Sequence, residues 1–463
     1  MQLSSRRHLK QLMGVYQAHP YRDGIKIVFL LGMSLLASFY PEYGGMPIPE
    51  RRALFILLLS ASMWMTEALP AFAVGFLVIG LSIFLLSPER GGEIPWQTFT
   101  NTWSSPIIWL FLGGLILARA AEKTGVNKRV SSMLLSKLGD SHSLLLFGIM
   151  FLSFIFSNFM SNTATAAMML GLMGPVLANF AKADRRKKAY IMAVPLGANI
   201  GGMGSIIGTP PNAVAAALLG ERGEAVDFLT WMWYGMPPAI VCLFVLWFYL
   251  RTTYDCKGKN ETKFDFEQVP INKTSAYVIA VFLLTVILWC TGSLHGIPAS
   301  VVAFVPIVLL PLNGVIEADD MRQLPWDVLI LLAGGLTLGV AVETSGLAHT
   351  LVEAMPSVGD NMFVLVIMMA IMACIVSNFM SNTAAANIIM PIAAAMAVGH
   401  EKPMLVAIAL ASSTAMCMPV STPPNALASS SGLLKASDFL ITGIIAAIVG
   451  VTSSLIWIRF ILW

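Results

Sequence analysis

The sequence has little charge. Asp, Glu, Lys and Arg make up 11% of the 463 residues, less than half the roughly 25% of an ordinary soluble domain. That deficit accompanies 57% hydrophobic residues and a mean hydropathy of +0.77, and it excludes one large soluble core. No long polar stretch remains from which a soluble domain could be built. The formal net charge is only +3, and no basic stripe with interleaved aromatics exists, which excludes a nucleic-acid surface. Cysteine is scarce too. Cys242, Cys256, Cys290, Cys374 and Cys417 show no CxxC spacing, which argues against a disulfide framework or zinc site and for buried, inert thiols. The first 26 residues are mostly polar and basic, so no cleavable signal peptide is expected. HExxH, GxSxG and Asp-rich motifs are missing, and an enzyme is not expected.

What is present is apolar sequence in membrane-length pieces. Segments fall near 24–40, 52–69, 71–86, 106–121, 190–220, 228–251, 275–292, 298–313, 326–345, 404–433 and 438–462. Two more, 142–180 and 361–398, are each split by a polar cluster at the middle. Each is long enough for two crossings or for one re-entrant helical hairpin. Lys and Arg concentrate on cytoplasmic loops. With the N-terminus and its Arg6, Arg7, Lys10, Arg22 and Lys26 inside, and both split stretches returning to their own side, most of the 28 basic residues become cytoplasmic. Lys123, Lys128, Arg129 and Lys137 precede 142–180, and Lys182, Arg185, Arg186, Lys187 and Lys188 follow it. That stretch therefore starts and ends in the cytoplasm. The flanks of 361–398 are almost free of basic residues and suit the outer side. The linker 252–272 falls inside, so its NxT triplets at Asn260 and Asn272 are chance matches.

The two halves of the chain repeat each other. The octapeptide from Ser157 to Ala164 recurs letter for letter from Ser377 to Ala384, and Thr209-Pro210-Pro211-Asn212-Ala213 recurs as Thr422-Pro423-Pro424-Asn425-Ala426. Gly113-Gly114 matches Gly334-Gly335, Glu122 matches Glu343, and Gly125 matches Gly346. On the charge assignment, 106–121 and 326–345 run in opposite directions, so the copies are inverted. The expected fold is an all-α polytopic membrane protein with about 11 transmembrane helices, two re-entrant hairpins and an inverted two-fold repeat, an architecture common among secondary transporters. Its divisions are 1–100 (first scaffold helices), 101–227 (first-repeat transport elements), 228–320 (scaffold helices and linker), 321–436 (second-repeat transport elements) and 437–463 (last helix).

Polar side chains at membrane depth cost free energy unless partnered. Ser-Asn-Thr at a hairpin tip ends one half-helix and starts another. The new helix offers unpaired N–H groups and a positive dipole end to an anion, while the free carbonyls of the old one suit a small cation. Thr-Pro-Pro-Asn breaks a second helix, because two prolines remove two donors. Gly197, Gly201, Gly202, Gly204 and Gly208 before the first copy are read as letting the backbone bend. Neither motif contains Lys, Arg, Asp or Glu. A proton relay would normally use an intramembrane carboxylate or histidine, whereas neutral hard oxygens suit sodium. Moving a charge against the membrane potential costs about 2.3 kcal/mol per 100 mV, so two sodium ions would cancel a dianion and a third would make the potential a driving force. A lone Ser-Asn-Thr in a membrane helix reads as helix packing; two copies, each followed by a broken helix, read as a binding site. Glu67 is read as a helix-end residue, Glu122 and Glu343 as structural pairing partners, and Trp231, Trp233, Tyr234 and Trp463 as interfacial anchors.

These paired motifs, in order along nearly the whole chain, resemble those of the divalent anion/sodium symporter family, the di- and tricarboxylate carriers. The resemblance implies co-transported sodium, no organic cofactor, a homodimer in the bacterial inner membrane with the C-terminus periplasmic, and elevator-like movement of a transport domain against a scaffold. Carried over, one sodium site is Ser157, Ser161 and Asn162 with backbone near Gly208. The other is Ser377, Ser381 and Asn382 with backbone near Ser421, which stands where the resemblance implies alanine. Substrate carboxylates meet Asn162, Thr163, Asn382 and Thr383, near Thr209, Pro210, Thr422 and Pro423. A C4-dicarboxylate of the succinate, malate or fumarate class is the expected substrate. A sodium-independent exchanger, or a proton-coupled carrier for citrate, sulfate or another oxyanion, is the alternative.

Overall fold

The computed structural model describes residues 20–40, 45–88, 94–138, 141–178, 180–181, 184–259, 270–353 and 361–463. Arg6, Arg7, Lys10, Lys182, Asn260 and the middle of the linker, 260–269, lie outside them. Among the described residues the protein is all-helical, with one isolated bridge between Ser141 and Lys259 and no strand. The first helices are α1 (Pro20–Ser38), α2 (Ile48–Thr66), α3 (Ala71–Leu86), α4 (Pro106–Lys123) and α5 (Val126–Leu138). The first polar-split stretch gives α6 (His142–Ser157) and α7 (Asn162–Ala178), and the first proline-broken stretch gives α8 (Arg186–Gly201) and α9 (Pro210–Glu221). Then come α10 (Phe228–Thr253), α11 (Lys273–Cys290), α12 (Phe304–Leu312) and α13 (Trp326–Thr344). The second-half counterparts are α14 (Met362–Phe379), α15 (Asn382–Met396), α16 (Glu401–Ser413) and α17 (Pro423–Ser429), followed by α18 (Ala436–Leu462).

Local chemistry fixes these ends. Pro106, Pro210 and Pro423 each occupy the first helical position, where a missing N–H costs nothing. Asn272 caps α11 by accepting the Ser275 N–H at 2.7 Å, so its side chain serves the helix. Glu67 closes α2 in the left-handed region at φ 50°, the helix-end role its sequence context suggests. Hydropathy alone passes over α5, because it carries Lys128, Arg129 and Lys137 and three of its four buried residues, Asn127, Ser131 and Ser132, are polar.

Among the described residues, six helical stretches are long and apolar enough to cross a membrane: Trp96–Lys123, α10, α11, α13, α14 and α18. Close approach between helices runs through glycine. A Cβ on Gly201 would collide with the Phe154 carbonyl, and one on Gly197 with the Met150 carbonyl, so α8 lies directly on α6. The expectation that these glycines serve bending is corrected for Gly197, which sits inside α8; it and Gly201, the last residue of α8, supply the missing side chain. Gly334 meets Gly75 in the same way, joining α13 to α3.

Charged side chains are paired at the helix ends. Asp320 receives Lys123 at 2.6 Å and Arg119 at 3.0 Å, and the Lys123 hydrogen bond holds its carboxyl below the usual range. Glu122 pairs with Arg119 at 3.4 Å and Glu343 with Arg222 at 3.2 Å. Trp231 and Tyr234 do not sit as interfacial anchors. Both are buried, and the Trp231 indole donates to the Met203 carbonyl at 3.4 Å; Trp233 and Trp463 are exposed.

Candidate functional site

Each Ser-Asn-Thr cluster straddles the end of a gap between two half-helices, 158–161 between α6 and α7 and 380–381 between α14 and α15, with the serine in the gap and the asparagine and threonine opening the new helix. Ser161 and Ser381 open the new helices: their hydroxyl oxygens accept the N–H of Ala164 and Ala384, each at 3.2 Å. A hydroxyl so used keeps one further acceptor position. Ser157 is fully buried and donates to the Asn162 carboxamide oxygen. Asn162 lies against Gly202, where an added Cβ would touch both its amide and the Thr209 methyl. Gly208 packs on the Gly202 carbonyl so closely that no side chain fits. Ser157, Asn162, Gly208 and Thr209 are thus gathered around the first break, with Thr163 exposed and Pro210 half-buried.

The second cluster is arranged differently. The hydroxyl of buried Ser377 and the carboxamide oxygen of Asn382 have no hydrogen-bond partner. Thr383 is buried and Pro423 exposed. Ser421 uses its side chain as well as its backbone, accepting the Met418 N–H at 2.9 Å and donating to the Asn378 carbonyl at 3.4 Å. No hydrogen bond joins it to Ser377 or Asn382. The first half makes the corresponding bond to the Asn158 carbonyl from Ser205. The hydroxyl has moved along the chain while the carbonyl it serves has not.

The Thr-Pro-Pro-Asn motifs act as clips. The Asn212 amide donates to the Ser205 carbonyl at 2.7 Å and to the Gly202 carbonyl at 2.9 Å. The Asn425 amide donates to Met418 at 2.9 Å and Met416 at 3.0 Å. The chain leaves the helix ladder ahead of each proline pair, and the asparagine that follows takes up carbonyls left free in that break. The two breaks also hold each other. Asn199 on α8 donates to Thr422 at 3.0 Å and to Asn425 at 3.2 Å, and the Thr209 hydroxyl lies 3.3 Å from that of Ser413 on α16. One polar region therefore spans both halves, with no ionisable side chain among its hydrogen bonds.

Sequence reasoning passed over four members of this region. Asn158 and Asn378 lie within the repeated octapeptide, which was signal enough. Asn378 donates to the Cys374 carbonyl and accepts the Cys417 N–H at 2.8 Å. Ser205 and Asn199 carried no signal, because their counterparts in the second half are Met418 and Ser412. Buried oxygens without a donor cluster here: those of Asn158, Asn199 and Asn212 beside the first break, and Ser377, Asn382 and Ser412 beside the second. Unmet buried acceptors at this density are unusual. Neutral acceptors without donors fit a hard cation such as sodium; the opening N–H groups of each half-helix that the serine cap leaves free fit a carboxylate.

A family profile described as citrate transporter matches residues 57–411. The sodium-dependent dicarboxylate transporter SdcS of Staphylococcus aureus strain bovine RF122 / ET3-1 is 29% identical over 485 residues, covering 95% of this chain and 91% of that one. SdcS of strain NCTC 8325 / PS 47 matches with the same identity and coverage. Among solved structures, the Alcanivorax borkumensis YdaH transporter, described as having an unusual topology, matches with a TM-score of 0.54 and 12% identity, over 89% of this chain and 99% of that one.

Proposed function

The chain belongs to the citrate transporter family, and its paired motifs set it among the divalent anion/sodium symporters; from that premise we propose that it carries a C4-dicarboxylate of the succinate, malate or fumarate class together with sodium across the bacterial inner membrane. The observation that carries the reading is the pair of uncharged Ser-Asn-Thr tips, each opening a helix beside a clipped break. In this reading Asn162, Thr163, Asn382 and Thr383 meet the substrate carboxylates near Thr209, Pro210, Thr422 and Pro423. Sodium, the co-transported ion, is taken by Ser157, Ser161 and Asn162 with the Gly208 backbone, and by Ser377, Ser381 and Asn382 with the Ser421 backbone. The dianion costs about 2.3 kcal/mol per charge per 100 mV against the potential, and bound sodium offsets it at the same depth. Residues 101–227 and 321–436 form the mobile transport elements of a homodimeric elevator, with the N-terminus cytoplasmic and the C-terminus periplasmic. The 29% identity to a sodium-dependent dicarboxylate transporter supports the substrate class and the coupling.

A second reading, tricarboxylate transport, is favoured by the description of the matching family. Uptake of radiolabelled succinate into proteoliposomes separates the two. The symport reading expects uptake driven by an inward sodium gradient, lost when potassium replaces sodium and lost in Asn162→Ala. Uptake indifferent to sodium overturns the coupling. Competition by citrate at lower concentration than succinate transfers the site to tricarboxylates.

A further inference from the structure

We propose that the groove between α14 and α18 seats one anionic phospholipid, with an acyl chain along the groove and the phosphate on Arg459. Both helices are membrane-length, and only 33% of the apolar window of each is buried, so their remaining faces meet the bilayer. Between them lies a cavity of about 620 Å³. Ile367, Ile371 and Ile375 line it from α14, and Ala447, Val451 and Leu455 from α18. The four-residue spacing gives each helix one continuous apolar stripe. From Phe363 to Ile375, and from Ala447 to Arg459, the stripes run about 18 Å at 1.5 Å per residue, slightly more than the roughly 15 Å of hydrocarbon in one leaflet. The groove is therefore about one leaflet deep.

Its mouth is chemically unlike its walls. The Arg459 guanidinium stands 5.1 Å from the ring centres of Phe363 and of Trp463, and Trp463 stacks on His400 at 4.6 Å. Aromatic rings at this level mark the membrane interface. No carboxylate among the described residues lies within ion-pair distance of Arg459, whereas Lys123, Arg186, Lys188 and Arg222 each have one. A cation oriented by two rings, exposed, and left without an acid at the end of a one-leaflet groove matches a phosphodiester, which a guanidinium binds through two parallel hydrogen bonds. A zwitterionic headgroup brings its own cation to this mouth, and an anionic one does not; hence the assignment to an anionic lipid. The inner end of the groove reaches Cys374, one turn before Ser377, so the chain terminus lies beside the second polar tip.

The proposal is independent of the transported substrate, and so is its test. Full-length protein in detergent is mixed with phosphatidylglycerol or phosphatidylcholine, and bound lipid is counted by native mass spectrometry. The expected result is one retained phosphatidylglycerol per protomer, favoured over phosphatidylcholine, with retention falling about tenfold in Arg459→Gln through loss of the charge-assisted contact. Ala447→Trp, which fills the groove and leaves the charge in place, lowers retention of both lipids. Equal phosphatidylglycerol retention in wild type and Arg459→Gln overturns the proposal. So does a disulfide between two copies of Ile456→Cys, which would mean that a second protomer covers this face.

Discussion

The two hairpin tips carry the same eight residues and live in different surroundings. At the first, Ser157 is bonded to Asn162, and Phe159 packs edge-on against Phe282 of α11 with ring centres 5.5 Å apart. At the second, Ser377 and Asn382 hold unpartnered oxygens, and Phe379 is 72% exposed. The neighbouring break differs in the same sense: Ile207 is buried, and its counterpart Val420 is 78% exposed. Identical sequence therefore fixes the serine cap and the helix start. Whether the tip is closed on itself and covered is decided by what packs against it.

The clips are the control for this comparison, because Asn212 and Asn425 each donate to backbone carbonyls of the preceding break, Ser205 and its counterpart Met418 among them. Replacing either by alanine strands two buried carbonyls, and the expected loss is about 3 kcal/mol in unfolding free energy. Asn425→Ala is expected to cost more, since its oxygen also accepts from Asn199 while that of Asn212 has no partner. Thermal melts of the two variants in one detergent check both the size and the order. Equal tolerance of both substitutions would break the account of the breaks as clipped backbone.

The tips themselves give the next effect. Ser377→Ala removes a hydroxyl that makes no bond in the structure, so the sodium-free melting temperature is expected to stay unchanged. If that hydroxyl is a sodium ligand, the sodium concentration for half-maximal uptake rises about ten- to hundredfold, since a bond to a charged group is worth roughly 1.5–3 kcal/mol. Ser157→Ala removes an existing bond and is expected to lose about 1 kcal/mol of stability as well. A stability loss in Ser377→Ala equal to that in Ser157→Ala would erase the difference between the tips.

Much of this region was legible before any coordinates. The octapeptide located both tips and the proline pairs both breaks, because polarity inside an apolar run has few explanations and a duplicated one has fewer. What was not legible is what each group faces. Ser161 and Ser381 read as ligands, and each also caps a helix. Gly197 and Gly201 read as letting the backbone bend, and both are contact points. Trp231 read as an anchor and is buried under the Met203 carbonyl. Asn199 could not be singled out, because its role is to reach Thr422 across 223 positions of sequence. Periodicity and motif report on local structure; these contacts are made by the packing of one half on the other.

A tie on the helix ends sharpens the comparison in another direction, because the repeat supplies no second copy of it. Asp320 binds Lys123 and Arg119, and Val340 stands where the second half would need an Arg119. Asp320→Asn is expected to cost about 1.5 kcal/mol. The carboxyl is held below its ordinary value of 3.8 by the Lys123 hydrogen bond first. Its contribution is therefore complete above that ordinary value and is lost only as pH falls through the lowered one. Melts between pH 5 and 8 should show a constant gap between wild type and variant, closing only in stronger acid. A gap that varied across the neutral range would assign the titration to another group.

The smallest expected effect separates the tips most directly. Phe159→Ala gives up the ring contact with Phe282 and is expected to lose about 1 kcal/mol. Phe379→Ala removes a ring that is mostly in the open and should stay within about 0.5 kcal/mol of wild type. Equal losses would mean that Phe379 is covered in the membrane as Phe159 is. Transport then adds a second axis. If the transport elements move against a scaffold, Phe379 has a partner surface in another state, and Phe379→Ala should change the uptake rate while leaving the melt alone. An unchanged rate together with an unchanged melt would leave the second tip exposed throughout the cycle, and an elevator movement that alternately covers the two tips would be excluded.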